Sequence, residues 1–168
     1  SSRIVSDMIR DAGGTPRRER VGHAFMKKAL NDSKGIFGGE LSGHFYFKDN
    51  WYCDSGMLAF VHIINVLTEA EKPLSELIRP MQRYHQSGER NFENDNKDAT
   101  IQQLARTYAD ARVDFLDGIT VQYEDWWFNV RASNTEPLLR LNMEASSQDL
   151  LDSKFDELAP KLGKAVAH

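Results

Sequence analysis

The sequence predicts an α/β three-layer domain, truncated at its N-terminus, followed by a small α+β domain with an antiparallel sheet. Three observations carry this reading. Helical and β-favouring segments alternate through the first half, as in layered sheet-and-helix domains. The character turns polar and turn-rich between residues 84 and 97. Beyond that stretch come a helix, alternating strands and a closing helix. A length of 168 residues suits one ordinary domain or two small ones, and the polar stretch favours two, placed at residues 1–86 and 87–168.

The first segment reads as a helix ending at "D-A-G-G", with Gly13 and Gly14 as its stop signal. So little precedes it that the sequence is expected to begin inside a domain. "P-R-R-E-R-V" is compatible with a short strand having a solvated basic edge. "H-A-F-M-K-K-A-L" carries Phe25, Met26 and Leu30 at helical spacing. In "G-I-F-G-G-E-L-S-G-H-F-Y-F", β-favouring residues flank glycines, which predicts two short strands around a tight loop. Asp54 or Ser55 is a suitable N-cap for the apolar segment that follows. There Met57, Phe60, Ile64 and Leu67 form the expected buried face of a helix. "P-L-S-E-L-I" opens one more short helix.

The second half is read in the same way. Ile101, Leu104, Ala105 and Tyr108 share one side of a helix over residues 98–109. "L-D-G-I-T-V-Q-Y-E-D-W-W-F-N-V-R" predicts hairpin strands, turning near Gly118 and again at Glu124-Asp125. Leu139, Leu141 and Met143 alternate with Arg140, Asn142 and Glu144, which is the pattern of a half-buried strand. "S-Q-D-L-L-D-S-K-F-D-E-L" forms an amphipathic helix. Of Trp126 and Trp127, one is expected in the core and one at the surface.

Composition narrows the function classes. Hydrophobic content of 40% and charged content of 27% describe a globular chain that can bury a core. No run of about 18 apolar residues appears, so no membrane partner is expected. A net charge of −4 argues against nucleic acid, whose phosphates need a broad basic face. The single cysteine, Cys53, precludes an internal disulfide and is expected to be an inert packed thiol in a cytoplasmic protein.

Between the "W-F-N-V" and "L-L-R-L-N-M" strands lies "R-A-S-N-T-E-P". Ser133-x-x-Glu136 matches a helix capping box. Pro137, however, disfavours helical geometry at Glu136, and the period of two afterwards leaves no helix to cap. A short connection of this kind leaves backbone N–H groups free to form an anion site. Ser133 and Thr135 add hydroxyls, Asn134 an amide, and Arg131 a planar fork suited to phosphate oxygens. A plain surface turn remains the alternative, although it has no need of the arginine.

The order of these residues resembles the phosphate-binding loop of the α-D-phosphohexomutases, of the phosphomannomutase/phosphoglucomutase type. "G-E-L-S-G-H", Gly39 to His44, resembles the sugar-binding loop of the same family, and "V-G-H-A-F", Val21 to Phe25, a third element. The resemblance spans nearly the whole chain, as part of the family's third domain plus its fourth. Asn134 at its place in the loop is typical of the mannose and glucose enzymes, where phosphoglucosamine mutases have glycine. The family's phosphoserine motif and magnesium loop are absent from these residues.

The resemblance implies a C-terminal fragment of an enzyme that interconverts hexose 1-phosphate and hexose 6-phosphate. Its partners would be those hexose phosphates and the missing N-terminal domains. The full-length enzyme would use Mg2+, a phosphoserine and a hexose 1,6-bisphosphate, none held by this fragment, which alone is expected to be inactive. Arg131, Ser133, Asn134 and Thr135 would grip the non-reacting phosphate. Glu40 and Ser42 would bind sugar hydroxyls, and His23 would contact sugar or phosphate. His44 would be a candidate proton shuttle, against the plainer reading of either histidine as a loop cap. Glu40 and His44 are spaced as metal ligands, but glycines break any helix there and no third ligand is evident, so no metal site is expected. The alternatives are a phosphoglucosamine mutase and a non-catalytic sugar-phosphate-binding module.

Overall fold

The computed structural model describes residues 2–133 and 136–166. The chain divides into two compact units, Ser1–Gln82 and Arg83–His168.

Helix α1, Arg3–Asp11, opens the first unit with Ser2 as N-cap, its hydroxyl accepting from the Ile4 N–H at 3.2 Å. It stops where the sequence predicts: the Gly13 N–H reaches back to Arg10 O at 2.8 Å and the Gly14 N–H to Ile9 O at 2.8 Å. Residues 14–20 are irregular, so the strand expected at "P-R-R-E-R-V" does not form. Among the described residues no strand pairs with it; instead Arg20 lies over the Phe25 ring, 4.5 Å from its centroid. Helix α2, His23–Ser33, buries Ala29 and Leu30. Strands β1, Phe37–Gly39, and β2, Phe45–Phe47, pair antiparallel, and β3, Cys53–Asp54, joins β2. Helix α3, Gly56–Ala70, is capped by Ser55, whose hydroxyl accepts from the Leu58 N–H at 3.2 Å. Helix α4, Leu74–Ile78, follows Pro73.

Two further expectations for this unit are corrected. The α3 face was expected to be buried, yet no residue of α3 is: Met57 is 74% exposed and Phe60 60%. Three short strands offer too little area to cover a 15-residue helix. Cys53 is exposed, not packed, because it sits in a two-residue edge strand with both side chains in solvent.

The second unit is an α+β fold on a seven-stranded antiparallel sheet. Strand β4, His85–Gln86, and strand β5, Arg90–Glu93, both lie inside the stretch that reads as a polar linker. The chain therefore enters the second unit's sheet ahead of the expected division after residue 86. Helix α5, Lys97–Thr107, leads to β6, Arg112–Asp114, β7, Ile119–Gln122, β8, Trp126–Ala132, and β9, Leu138–Ala145. Helix α6, Gln148–Leu162, and strand β10, Lys164–Val166, close the unit. The sheet order is β10-β5-β9-β8-β7-β6, with β4 also on β9. Gly118, at φ +66°, makes the β6–β7 turn; a Cβ there would meet Val130 O at 2.2 Å, so only glycine fits.

One face of this sheet carries the core. Ile119, Val121, Phe128, Val130, Leu139 and Leu141 are fully buried against Leu104 of α5 and Leu151, Leu158 and Leu162 of α6. Tyr108 meets Phe128 edge-on at 5.2 Å, and Tyr123 stacks on Trp126 at 4.9 Å. Trp127 was one of two candidates for the surface, but both tryptophans are buried. The register sets Trp127 opposite Glu144, and its indole N–H donates to Glu144 Oε2 at 2.8 Å. That bond buries Glu144 as well, against the simple alternation expected of the strand.

Candidate functional site

The described candidates fall in two places, one in each unit. In the first, the β1–β2 hairpin turns through Glu40 to Gly43. The Glu40 N–H donates to His44 O at 3.0 Å and the Gly43 N–H to Glu40 O at 3.0 Å, with Gly43 at φ +82°. The Glu40 carboxylate is held from two sides. Its Oε2 accepts from the Gly22 N–H at 3.1 Å, and its Oε1 from the Tyr46 hydroxyl at 2.5 Å. The Val21-to-Phe25 and Gly39-to-His44 motifs, separate in sequence, thus meet at one carboxylate.

Tyr46 is fully buried. Burial first, and the Glu40 carboxylate second, push its phenol well above the ordinary tyrosine range. It therefore acts as a permanent donor that fixes Glu40, leaving other lone pairs of that carboxylate for a ligand. Sequence reasoning did not single out Tyr46; the signal available was the alternation of "F-Y-F" directly after the loop. Beside Glu40, Ser42 Oγ and His44 Nδ1 lie 2.8 Å apart. Ser42, His44 and His23 are exposed, with His23 the first residue of α2.

In the second unit the candidates sit where β8 passes to β9. The Ser133 N–H donates to Leu138 O at 2.9 Å, closing the connection, and Ser133 is buried. Asn134 and Thr135 lie outside the described residues. Arg131 is half-buried, its Nη2 donating to Glu89 Oε2 at 3.2 Å. Arg140 donates through Nη1 to Glu89 Oε1 at 3.1 Å and through Nη2 to Glu136 Oε2 at 3.3 Å. Lys97, first residue of α5, donates from Nζ to Ser133 O at 3.3 Å and to Glu136 O at 3.1 Å. It ties together the two sides of the connection.

Lys97 was not foreseen, although its position held a clue. A cation at a helix N-terminus opposes the macrodipole, so a lysine there needs another reason. Chemically, the second place combines guanidinium and ammonium cations with a buried hydroxyl, a set suited to a small oxyanion. Among the described residues, no group of three or more His, Cys, Asp or Glu side chains is placed to hold a metal ion. No helix of the described residues is long and apolar enough to cross a membrane.

Comparison with known proteins bears on both places. Residues 1–84 match the family model described as phosphoglucomutase/phosphomannomutase, alpha/beta/alpha domain III. Residues 89–161 match that of the phosphoglucomutase/phosphomannomutase C-terminal domain. The chain belongs to the phosphoglucomutase/phosphomannomutase family. It is 39% identical over 166 residues to a phosphomannomutase of Methanocaldococcus jannaschii, covering 99% of this chain and 37% of that protein. It is 39% identical over 163 residues to one of Vibrio cholerae, covering 94% and 35%. An X-ray structure of a phosphoglucomutase/phosphomannomutase family protein from Burkholderia thailandensis superposes with a TM-score of 0.82 at 29% identity, covering 95% of this chain and 35% of that one. The chain thus spans little more than a third of the length of these relatives. Its fold class, an α/β domain followed by a domain with an antiparallel sheet, is that of the family's third and C-terminal domains.

Proposed function

We propose that this chain is the sugar- and phosphate-binding part of a phosphomannomutase/phosphoglucomutase, an isomerase interconverting hexose 1-phosphate and hexose 6-phosphate. Such an enzyme would move the phosphoryl group through a phosphoserine and a hexose 1,6-bisphosphate. It must hold the sugar with either end at the reacting serine, which requires one grip for the distant phosphate and another for hydroxyls shared by both orientations.

The observation that carries the reading is the cluster of Arg131, Ser133 and Lys97 at the β8–β9 connection. Arg131 and Ser133, with Asn134 and Thr135, would donate to the phosphate oxygens. Lys97 would keep the connection closed and add positive potential. Glu40, fixed by Tyr46 and the Gly22 N–H, would accept from two neighbouring sugar hydroxyls. Ser42 would bind a hydroxyl alongside it, and His23 would contact sugar or phosphate. His44, with its Nδ1 facing Ser42 Oγ, would carry a proton to or from the reacting hydroxyl.

The relatives named phosphomannomutase favour mannose phosphates over glucosamine phosphate as the substrate class. The phosphoserine motif and the magnesium loop are not among these 168 residues, so the reading assigns phosphoryl transfer to other parts of a longer protein. This chain alone would bind without catalysing.

Calorimetric titration of mannose 1-phosphate into the chain tests the proposal. Arg131→Ala should weaken binding by about 1.5–3 kcal/mol, the worth of a charge-assisted hydrogen bond. Affinity that is equal with and without the guanidinium would remove the phosphate grip from the reading.

A further inference from the structure

The register of the β8–β9 pair sets Arg131 directly opposite Arg140. Like charges facing each other across an antiparallel ladder repel. Glu89, the residue just before β5, answers that repulsion with one carboxylate oxygen for each guanidinium, at 3.2 Å and 3.1 Å. The three side chains are 19–28% exposed, so solvent screens them less than surface ions.

Glu89 is itself held by backbone. Gly88 takes φ +65°, the Ser87 N–H donates to Met143 O at 3.1 Å, and Ser87 Oγ accepts from the Met143 N–H at 3.0 Å. Arg90 Nε donates to Ser87 O at 3.0 Å. The turn before β5 is therefore pinned to β9, and the carboxylate projects from a fixed point.

We propose that Glu89 is a positioning residue for the phosphate grip: it holds Arg131 in place through one N–H while restraining Arg140 with its other oxygen. This rests on the reading of Arg131 as a phosphate ligand. A guanidinium has five donors, and Glu89 takes one. A carboxylate bound by a single contact to each arginine organises the pair without filling Arg131's donor set. Simple electrostatics predicts the reverse effect, since removing a negative charge beside an anion site should tighten binding.

The test is calorimetric titration of mannose 1-phosphate into the wild-type chain, Glu89→Ala, Glu89→Gln, Arg131→Ala and the Glu89→Ala/Arg131→Ala double variant. A misplaced guanidinium keeps only part of its charge-assisted contact, and Glu89→Ala is expected to weaken binding about tenfold. Glu89→Gln, which keeps one acceptor, should recover part of the loss. Because Glu89 acts through Arg131, the double variant should bind no more weakly than Arg131→Ala alone.

Unchanged or tighter binding in both Glu89 variants overturns the proposal, as does additivity in the double variant. An Arg131→Ala chain that binds like wild type instead sinks the phosphate-grip reading on which the proposal rests. If a melting curve shows that Glu89→Ala is unfolded, Glu89→Gln decides alone. It should bind more weakly than wild type and shift the Arg131 Nε–Hε resonance, and wild-type values of either would refute the positioning role.

Discussion

The two units handle apolar surface in opposite ways. In the second, six core residues from β7, β8 and β9 are wholly buried beneath α5 and α6, and both tryptophans are covered. In the first, no residue of α3 is fully buried, and Met57, Phe60, Val61 and Ile64 remain 44–74% exposed although they are as apolar as any residue in the chain. Seven strands with two helices enclose a large core, whereas around three strands of two or three residues only Ile4, Ala29, Leu30 and Tyr46 are buried among the described hydrophobic residues. Apolar sequence is therefore not sufficient for burial. Something of matching area has to lie against it.

Truncation experiments should expose this contrast most strongly. Phe128→Ala removes a fully buried ring and should destabilise the second unit by about 3–5 kcal/mol in chemical denaturation. Phe60→Ala, at a position 60% exposed, should change stability by about 0.5 kcal/mol or less. Comparable losses at the two sites would erase the distinction between the units.

The next test asks whether the first unit nevertheless contains a rigid point. Tyr46→Phe deletes the buried hydroxyl that donates to Glu40, a bond to a charged group worth about 1.5–3 kcal/mol. Denaturation should register that loss, and mannose 1-phosphate should bind more weakly. A silent Tyr46→Phe would mean that Glu40 is fixed by the Gly22 N–H alone.

Alkaline titration probes the second unit through its phenols. Burial, then the Asp110 carboxylate 2.8 Å away, push Tyr123 up to about 12. Burial, then Glu157, raise Tyr108 in the same direction. A phenol whose folded value is raised contributes stability below its ordinary value of 10.0. That contribution is lost as pH rises through the folded value. Stability should fall between pH 10.0 and about 12, and Tyr108→Phe should flatten the fall. Denaturation midpoints across that range provide the measurement.

The smallest effect concerns Cys53. Exposed in its edge strand, it should react with a thiol reagent in the native chain at close to the rate of the unfolded one. Strong protection would show that the first unit covers β3.

Some elements were legible because their information is local. Gly13 and Gly14 end α1, Ser55 caps α3, amphipathic spacing marks α6, and alternation identifies β9. Others depend on partners distant in sequence. β4 and β5 look like linker because polar residues surround Phe92, and they become strands when β9, and for β5 also β10, supplies hydrogen bonds. β10 is a strand only because β5 lies beside it. The candidate site divides along the same line. Arg131, Ser133 and Glu40 are readable as chemistry-bearing residues in turn-rich motifs, whereas Lys97, Tyr46 and Glu89 are ordinary residues until tertiary contacts place them.

Sequence by itself determined the α/β-then-α+β order, the helix caps and the family motifs, because caps, periodicity and short loops act over a few residues. Tertiary structure alone decided which apolar faces are covered, that Glu144 is buried on Trp127, and that Glu89 spans two opposed arginines. Those outcomes depend on strand register and on areas contributed from elsewhere in the chain, and no local pattern encodes either.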